Sequence, residues 1–266
     1  MKISRPFKAK TTISIMRFQL LSDCHLECYK RIPNVAPLTD LLILAGDIGQ
    51  LHKQTFKDFI DYASQNWKKT IFVAGNHEYY SSKHVYDKLH QEYVNFFEGY
   101  ENVDFLEKQE TEYEGYRIMG LTMWCPLIGL KKINCTKQIK TYVGSGPDKR
   151  KAGIGMAGIN EMHASSVEWF MQNYNPDIPT ILVTHYPITN DLRAQPPMYW
   201  KDGNEGFACN ITLPPITKPL VCVSGHTHQS HDFMTGGARF ISNQCGYPDE
   251  ARSGATHFTP NCLFDV

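Results

Sequence analysis

Five separate segments of the chain end an apolar run with side chains of the kind that bind metals. "MRFQLLSD" (16–23) runs into Asp23-Cys24-His25, "LLILAGD" (41–47) ends in Asp47, and "TIFVAGN" (70–76) ends in Asn76 followed by His77 and Glu78. "TILVTH" (180–185) closes on His185, and "LVCVSGH" (220–226) leads into His226-Thr227-His228. A single Asp after a strand ordinarily caps a turn, and a single histidine ordinarily sits satisfied or in solvent. Five matches in succession, with Asp23/His25 and His226/His228 each two residues apart, make a pattern. Imidazole with carboxylate suits Zn²⁺, Mn²⁺, Fe or Ni²⁺, whereas Mg²⁺ and Ca²⁺ favour all-oxygen shells.

The runs that carry these residues are almost continuously apolar, as strands covered on both faces are. Helical patterns lie between them. Phe56, Phe59, Ile60, Ala63 and Trp67 fall on one stripe, as do Val85, Leu89, Tyr93 and Phe96. A third helix is predicted over about 156–173, with Ile159, Met162 and Phe170 inward. Strands alternating with helices predict an α/β sandwich. Open α/β sheets gather ligands beyond the carboxyl ends of their strands, so the five clusters are expected in one crevice. "YRIMGLTMW" (116–124), "ARFISN" (238–243) and "CLFDV" (262–266) add strand-like segments at closer to hairpin spacing. Two stretches read as long irregular loops: 125–154, with seven Lys or Arg between Lys131 and Lys151, and the proline-rich 186–219.

At 266 residues the chain can bury a full core. Lys plus Arg and Asp plus Glu are 27 each, so the formal net charge is zero, which argues against a general nucleic-acid coat. Eight scattered cysteines, some inside apolar runs, read as reduced thiols in a cytoplasmic protein. No run approaches the roughly 18 apolar residues of a membrane span. Residues 1–15 carry four basic residues and no acid, and are expected to be a disordered extension ahead of a single domain over 16–266.

The order Asp-x-His, Gly-Asp, Gly-Asn-His-Glu, His, Gly-His-x-His resembles the calcineurin-like metallophosphoesterase superfamily, over about residues 16–245. The resemblance implies a four-layer αββα sandwich with mixed sheets and a phosphoester hydrolase working with two divalent transition-metal ions. It assigns Asp23, His25 and His228 to one metal, Asn76, His185 and His226 to the other, and Asp47 to both. His77 matches the family's general acid or phosphate-contacting histidine. Two divalent ions, two Asp carboxylates and a bridging hydroxide leave roughly one positive charge, a complement to phosphate. Protein phosphatases of the superfamily carry Gly-Asp-x-x-Asp-Arg-Gly and Arg-Gly-Asn-His-Glu. Here "GDIGQLH" and "VAGNHEY" lack both arginines, and Gln50 replaces the second Asp. A small phosphodiester, nucleotide or phosphomonoester is therefore the expected partner, with a nuclease or a catalytically silent scaffold of the same fold as alternatives. No oligomeric state follows from the sequence.

Further readings concern the surroundings of the cluster. Glu78 is expected either to orient His77 or to serve as a first-turn helix acid. In the proline-rich stretch, Arg193, Tyr199, Trp200 and Lys201 are candidates to contact a base, sugar or phosphate, with Arg193 and Trp200 the leading pair. Asn76 and His77 join them as substrate-binding candidates. His163 reads as structural, His52 as a solvated loop residue, and the basic stretch 131–151 as a solvated loop.

Overall fold

The structure, a computed structural model, describes residues 15–30, 33–128, 134–197 and 206–266. In chain order the strands are β1 (Arg17–Leu21), β2 (Leu41–Ala45), β3 (Lys69–Val73), β4 (Val103–Phe105), β5 (Gln109–Tyr113), β6 (Tyr116–Leu121), β7 (Lys140–Val143), β8 (Arg150–Gly153), β9 (Thr180–Thr184), β10 (Leu220–Val223), β11 (His231–Thr235), β12 (Ala238–Ser242) and β13 (Leu263–Asp265). The helices are α1 (Gln54–Asn66), α2 (Tyr86–Phe97), α3 (Asn134–Gln138), α4 (Gly155–Asn173) and α5 (Pro248–Ser253).

One sheet has the order β13-β1-β2-β3-β4, with β1 to β4 parallel and β13 antiparallel at the edge. The other runs β11-β12-β10-β9-β6-β5, parallel through β12, β10, β9 and β6, with antiparallel strands at both edges. Alternate residues of each strand face opposite ways. Phe18, Leu20, Ile43, Ile71 and Val73 of the first sheet meet Ile118, Ile181, Val183, Val223 and Ile241 of the second in one buried layer. The intervening residues Leu42, Leu44 and Phe72, and Met119, Leu182 and Cys222, face outward. They join Phe56, Phe59 and Ile60 of α1, Tyr93 and Phe97 of α2, and Ile159 and Phe170 of α4. This is the mixed α/β sandwich expected from the pattern. Because the central strands of both sheets are parallel, their carboxyl ends deliver the five motifs to one edge.

One expectation needs correction. Residues 125–154 are not irregular throughout: Lys140–Val143 and Arg150–Gly153 pair as an antiparallel hairpin, preceded by the short helix α3. Their alternation is too brief and too polar to mark strands in sequence. The segments read at closer to hairpin spacing do form strands, and β6 makes a hairpin with β5 as β12 does with β11. β6 and β12 enter the second sheet beside β9 and β10, while β13 closes the first sheet against β1. The expected extension lies, except for Ile15, outside the described residues. No helix among the described residues is long and apolar enough to cross a membrane.

Candidate active site

The motif residues arrive on tight turns that the backbone adopts under strain. Asp23, His25, Asp47, His226 and His228 all have positive φ, between 44° and 71°. That conformation costs about 1–2 kcal/mol for a residue with a side chain. Burial offsets it, since each apolar side chain of the inter-sheet layer contributes about 1.5–3 kcal/mol. Two glycines allow the turns to close. A Cβ at Gly75 would lie 2.2 Å from Asp47 Oδ1, and one at Gly225 would lie 2.5 Å from Asp23 Oδ2.

The donor atoms form three overlapping trios, each within 4.8 Å: Asp23, His25 and His228; His25, Asp47 and His77; Asp47, His185 and His226. Their outer hydrogen bonds fix where the lone pairs point. His25 Nδ1 lies 3.2 Å from Glu27, and His228 Nδ1 lies 2.6 Å from Glu250. With those Nδ1–H groups donating to carboxylates, the two Nε2 lone pairs face each other at 3.1 Å. His185 Nδ1–H donates to the Ala45 carbonyl, so its Nε2 lone pair faces Asn76 Oδ1 at 3.1 Å and Asp47 Oδ2 at 3.4 Å. The Asn76 amide nitrogen donates to Tyr80, which turns its oxygen inward. Lone pairs converging on lone pairs repel unless a cation or proton sits among them. The donor set fits two nitrogen- and oxygen-loving cations.

The electrostatics agree. Burial works against charge on Asp47, but His185 and His77 hold its carboxyl well below the usual range. Burial also opposes charge on His185 and His228, yet Asp47 raises the first to about 9 and Asp23 with Glu250 raises the second to about 10. Burial and the charge on His185 push His226 down to about 3. The carboxylates thus hold protons on two imidazoles, and binding cations would displace those protons.

His77 stands beside the cluster. Its backbone N–H donates to Asp47 Oδ1 at 2.8 Å, and its Nδ1 lies 2.9 Å from Glu27. Glu27, and not Glu78, is the carboxylate that sets its orientation. Burial alone would raise the Glu27 pKa, but hydrogen bonds from His25 and His77 bring it down to about 2. Glu78 is buried and accepts from three backbone amides instead: Asp47 and Gly75 on one oxygen, Gly49 on the other. It ties the turns after β2 and β3 together.

Beside the cluster lies a cavity of about 540 Å³, walled by Tyr80, Tyr186, Pro196, Phe207 and Tyr247 as well as motif residues. The expected contact Arg193 does not line it. Its guanidinium pairs with Asp191 at 2.7 Å and lies 4.1 Å over the Phe233 ring. Tyr199, Trp200 and Lys201 lie outside the described residues. His163 Nδ1 meets the Trp124 carbonyl, a structural contact, and His52 is exposed. All eight cysteines are free thiols. Glu27, Tyr247 and Glu250 were not singled out from sequence. Glu27, two residues beyond His25, was the one legible candidate; "GYPDE" reads only as a helix start.

Two parallel-centred sheets with a ring of Asp, Asn and His at their shared carboxyl edge define a metal-dependent phosphoesterase. Residues 16–230 match the family model for calcineurin-like phosphoesterase, and the chain belongs to that family. It is 25% identical over 277 residues to uncharacterized protein L509 of Acanthamoeba polyphaga mimivirus, covering 95% of this chain and 96% of that one. It is 24% identical over 251 residues to a transmembrane protein with metallophosphoesterase domain of Bos taurus, covering 87% of this chain and 44% of that protein. Among solved structures, the phosphopantetheinyl hydrolase of Mycobacterium tuberculosis has a similar fold. Its TM-score is 0.63 at 18% identity, over 94% of this chain and 95% of that one.

Proposed function

We propose that the chain hydrolyses a small phosphodiester or nucleotide-type ester using two divalent transition-metal ions drawn from Mn, Zn, Fe and Ni. The observation that carries this is the inward convergence of lone pairs from Asn76, His185, His25 and His228 around the Asp23 and Asp47 carboxylates. Asp23, His25 and His228 would hold one ion, Asn76, His185 and His226 the other, and Asp47 both. Bound there, the ions would polarise the phosphoryl group and supply hydroxide at neutral pH. Glu27 and Glu250 keep the imidazoles oriented. Glu27 also aims His77 so that its Nε2, 3.9 Å from Asp47, faces the cluster, where it can protonate a leaving oxygen.

The walls favour a singly charged diester with a flat or apolar arm. No Arg or Lys stands among the described residues lining the cavity, whereas Tyr80, Tyr186 and Phe207 do. The cavity volume falls in the usual range for small-molecule sites. A nuclease is the second reading. The β7–β8 hairpin carries Lys140, Lys149, Arg150 and Lys151, none paired with a carboxylate among the described residues. Nucleic-acid binding that weakens steeply with salt would favour it.

The test is reconstitution with each metal, elemental analysis, and a panel of mono- and diesters that includes a phosphopantetheine diester, prompted by the name of the fold neighbour. About two metals per chain and turnover of a diester are expected. A chain that takes up no transition metal, or cleaves nothing on the panel, defeats the reading.

His77→Ala should keep its metals and lose about 10²- to 10⁴-fold in turnover of alkyl esters. Nitrophenyl esters, whose leaving groups need little proton assistance, should lose much less. Equal losses on both would remove His77 from the acid role.

A further inference from the structure

The loop after β12 lies across the motif cluster. Cys245 N–H donates to the Ser22 carbonyl and Gly246 N–H to the Asp23 carbonyl, both at 3.0 Å. The next amide, of Tyr247, donates to Glu250 Oε2 at 2.8 Å, the same oxygen that meets His228. Gly246 has φ +78°, and a Cβ there would lie 2.6 Å from Thr256. The backbone at Tyr247 is therefore pinned to two of the motif segments.

Its side chain is placed with equal specificity. The ring stacks on His25, centroids 4.3 Å apart at 21°, and meets His228 edge-on at 4.9 Å. The hydroxyl lies 3.1 Å from His77 Nε2. It lines the cavity and remains 39% exposed. A phenylalanine would cover the two imidazoles as well, so shielding does not account for the hydroxyl. Among the described residues, the hydroxyl's hydrogen-bond partner is the candidate acid.

We propose that Tyr247 contacts the phosphoryl group of the bound ester. With His77 Nδ1–H held by Glu27, Nε2 accepts a hydrogen bond from the tyrosine hydroxyl in the ligand-free site. A phosphoryl oxygen carries charge and is the stronger acceptor, so it takes that hydrogen bond when substrate binds. His77 Nε2, no longer occupied by the tyrosine, is then free to take a proton from solvent and pass it to the leaving oxygen. Only the O–H bond needs to turn, because the pinned loop already holds the ring over the first trio. This rests on the phosphoesterase reading of the site but is measured without turnover.

Tyr247→Phe tests it, with inorganic phosphate as the probe on the manganese-loaded protein. Metal content and melting temperature should match wild type, while the Kd for phosphate should rise about tenfold or more, as for loss of one hydrogen bond to a charged group. In the metal-free protein, the same variant should move the ¹⁵N resonance of His77 Nε2 and leave that of Nδ1 in place. Unchanged phosphate affinity with full metal content would make Tyr247 a wall and overturn the proposal. So would Tyr247→Phe losing metal as extensively as Tyr247→Ala, since the hydroxyl would then support the fold of the turns. If phosphate binds through Tyr247 but no ester is cleaved, the proposed activity fails while this contact stands.

Discussion

Asp47→Asn should leave the chain with less than one firmly held metal and lower ester turnover on the order of 10³-fold, the scale seen when a principal charge-stabilising group is removed. Asp47 belongs to two of the three donor trios, and no other carboxylate does. Its Oδ2 lies 3.4 Å from His185 Nε2, while its Oδ1 accepts from the His77 backbone amide. Asparagine is the same size and can keep the second contact, so the fold should survive. What it loses is the charge that would offset both cations. Elemental analysis after reconstitution, read beside circular dichroism, separates loss of metal from loss of structure. Two metals per chain with turnover within about tenfold of wild type would show that the site does not depend on a shared carboxylate.

Glu78→Ala should be the most destabilising single change near the site. It strands the amides of Asp47, Gly49 and Gly75, all buried. An unsatisfied buried donor costs about 1–3 kcal/mol, so the loss should reach roughly 3 kcal/mol or more. That is a large share of a typical stability of about 5–15 kcal/mol, and corresponds to a melting temperature lower by about 10 °C in a domain of this size. Glu78→Gln should cost less, because its carbonyl can still take Asp47 and Gly75 while only Gly49 faces an amide nitrogen. Burial and the neighbouring Asp47 push the Glu78 pKa up to about 8, opposed by the Gly49 amide. The order Ala, then Gln, then wild type in increasing melting temperature is the expected outcome. A melting temperature for Glu78→Ala within about 2 °C of wild type would mean that the turns after β2 and β3 do not need the bridge.

The sequence by itself determined the frame and pointed to the candidate inner ring. Strands buried on both faces must be nearly all apolar, so the polar residue that ends each run was visible against it. Asp23, Asp47, Asn76, His185 and His226 all stand just past strands that the structure places side by side. The parallel sheet rule then sent them to one edge, because the carboxyl ends of parallel strands coincide. The outer ring was decided by tertiary structure alone. Glu78 looked like a partner for the adjacent His77, but a 3₁₀ turn at His77–Tyr79 points it back under Asp47, leaving His77 to Glu27, fifty residues away in the chain. Arg193 looked free to meet substrate, but Asp191, two residues before it, captures its guanidinium. Tyr247 and Glu250 carried no signal, since a tyrosine before Pro-Asp-Glu is an ordinary helix entry. Only the pairing of β12 beside β10 carries that entry over His25 and His228. Candidate ligands are visible in sequence because metal chemistry restricts which residue types can serve. Groups that orient those ligands need only a hydrogen-bonding atom at the right point in space, and nothing but the folded chain specifies that point.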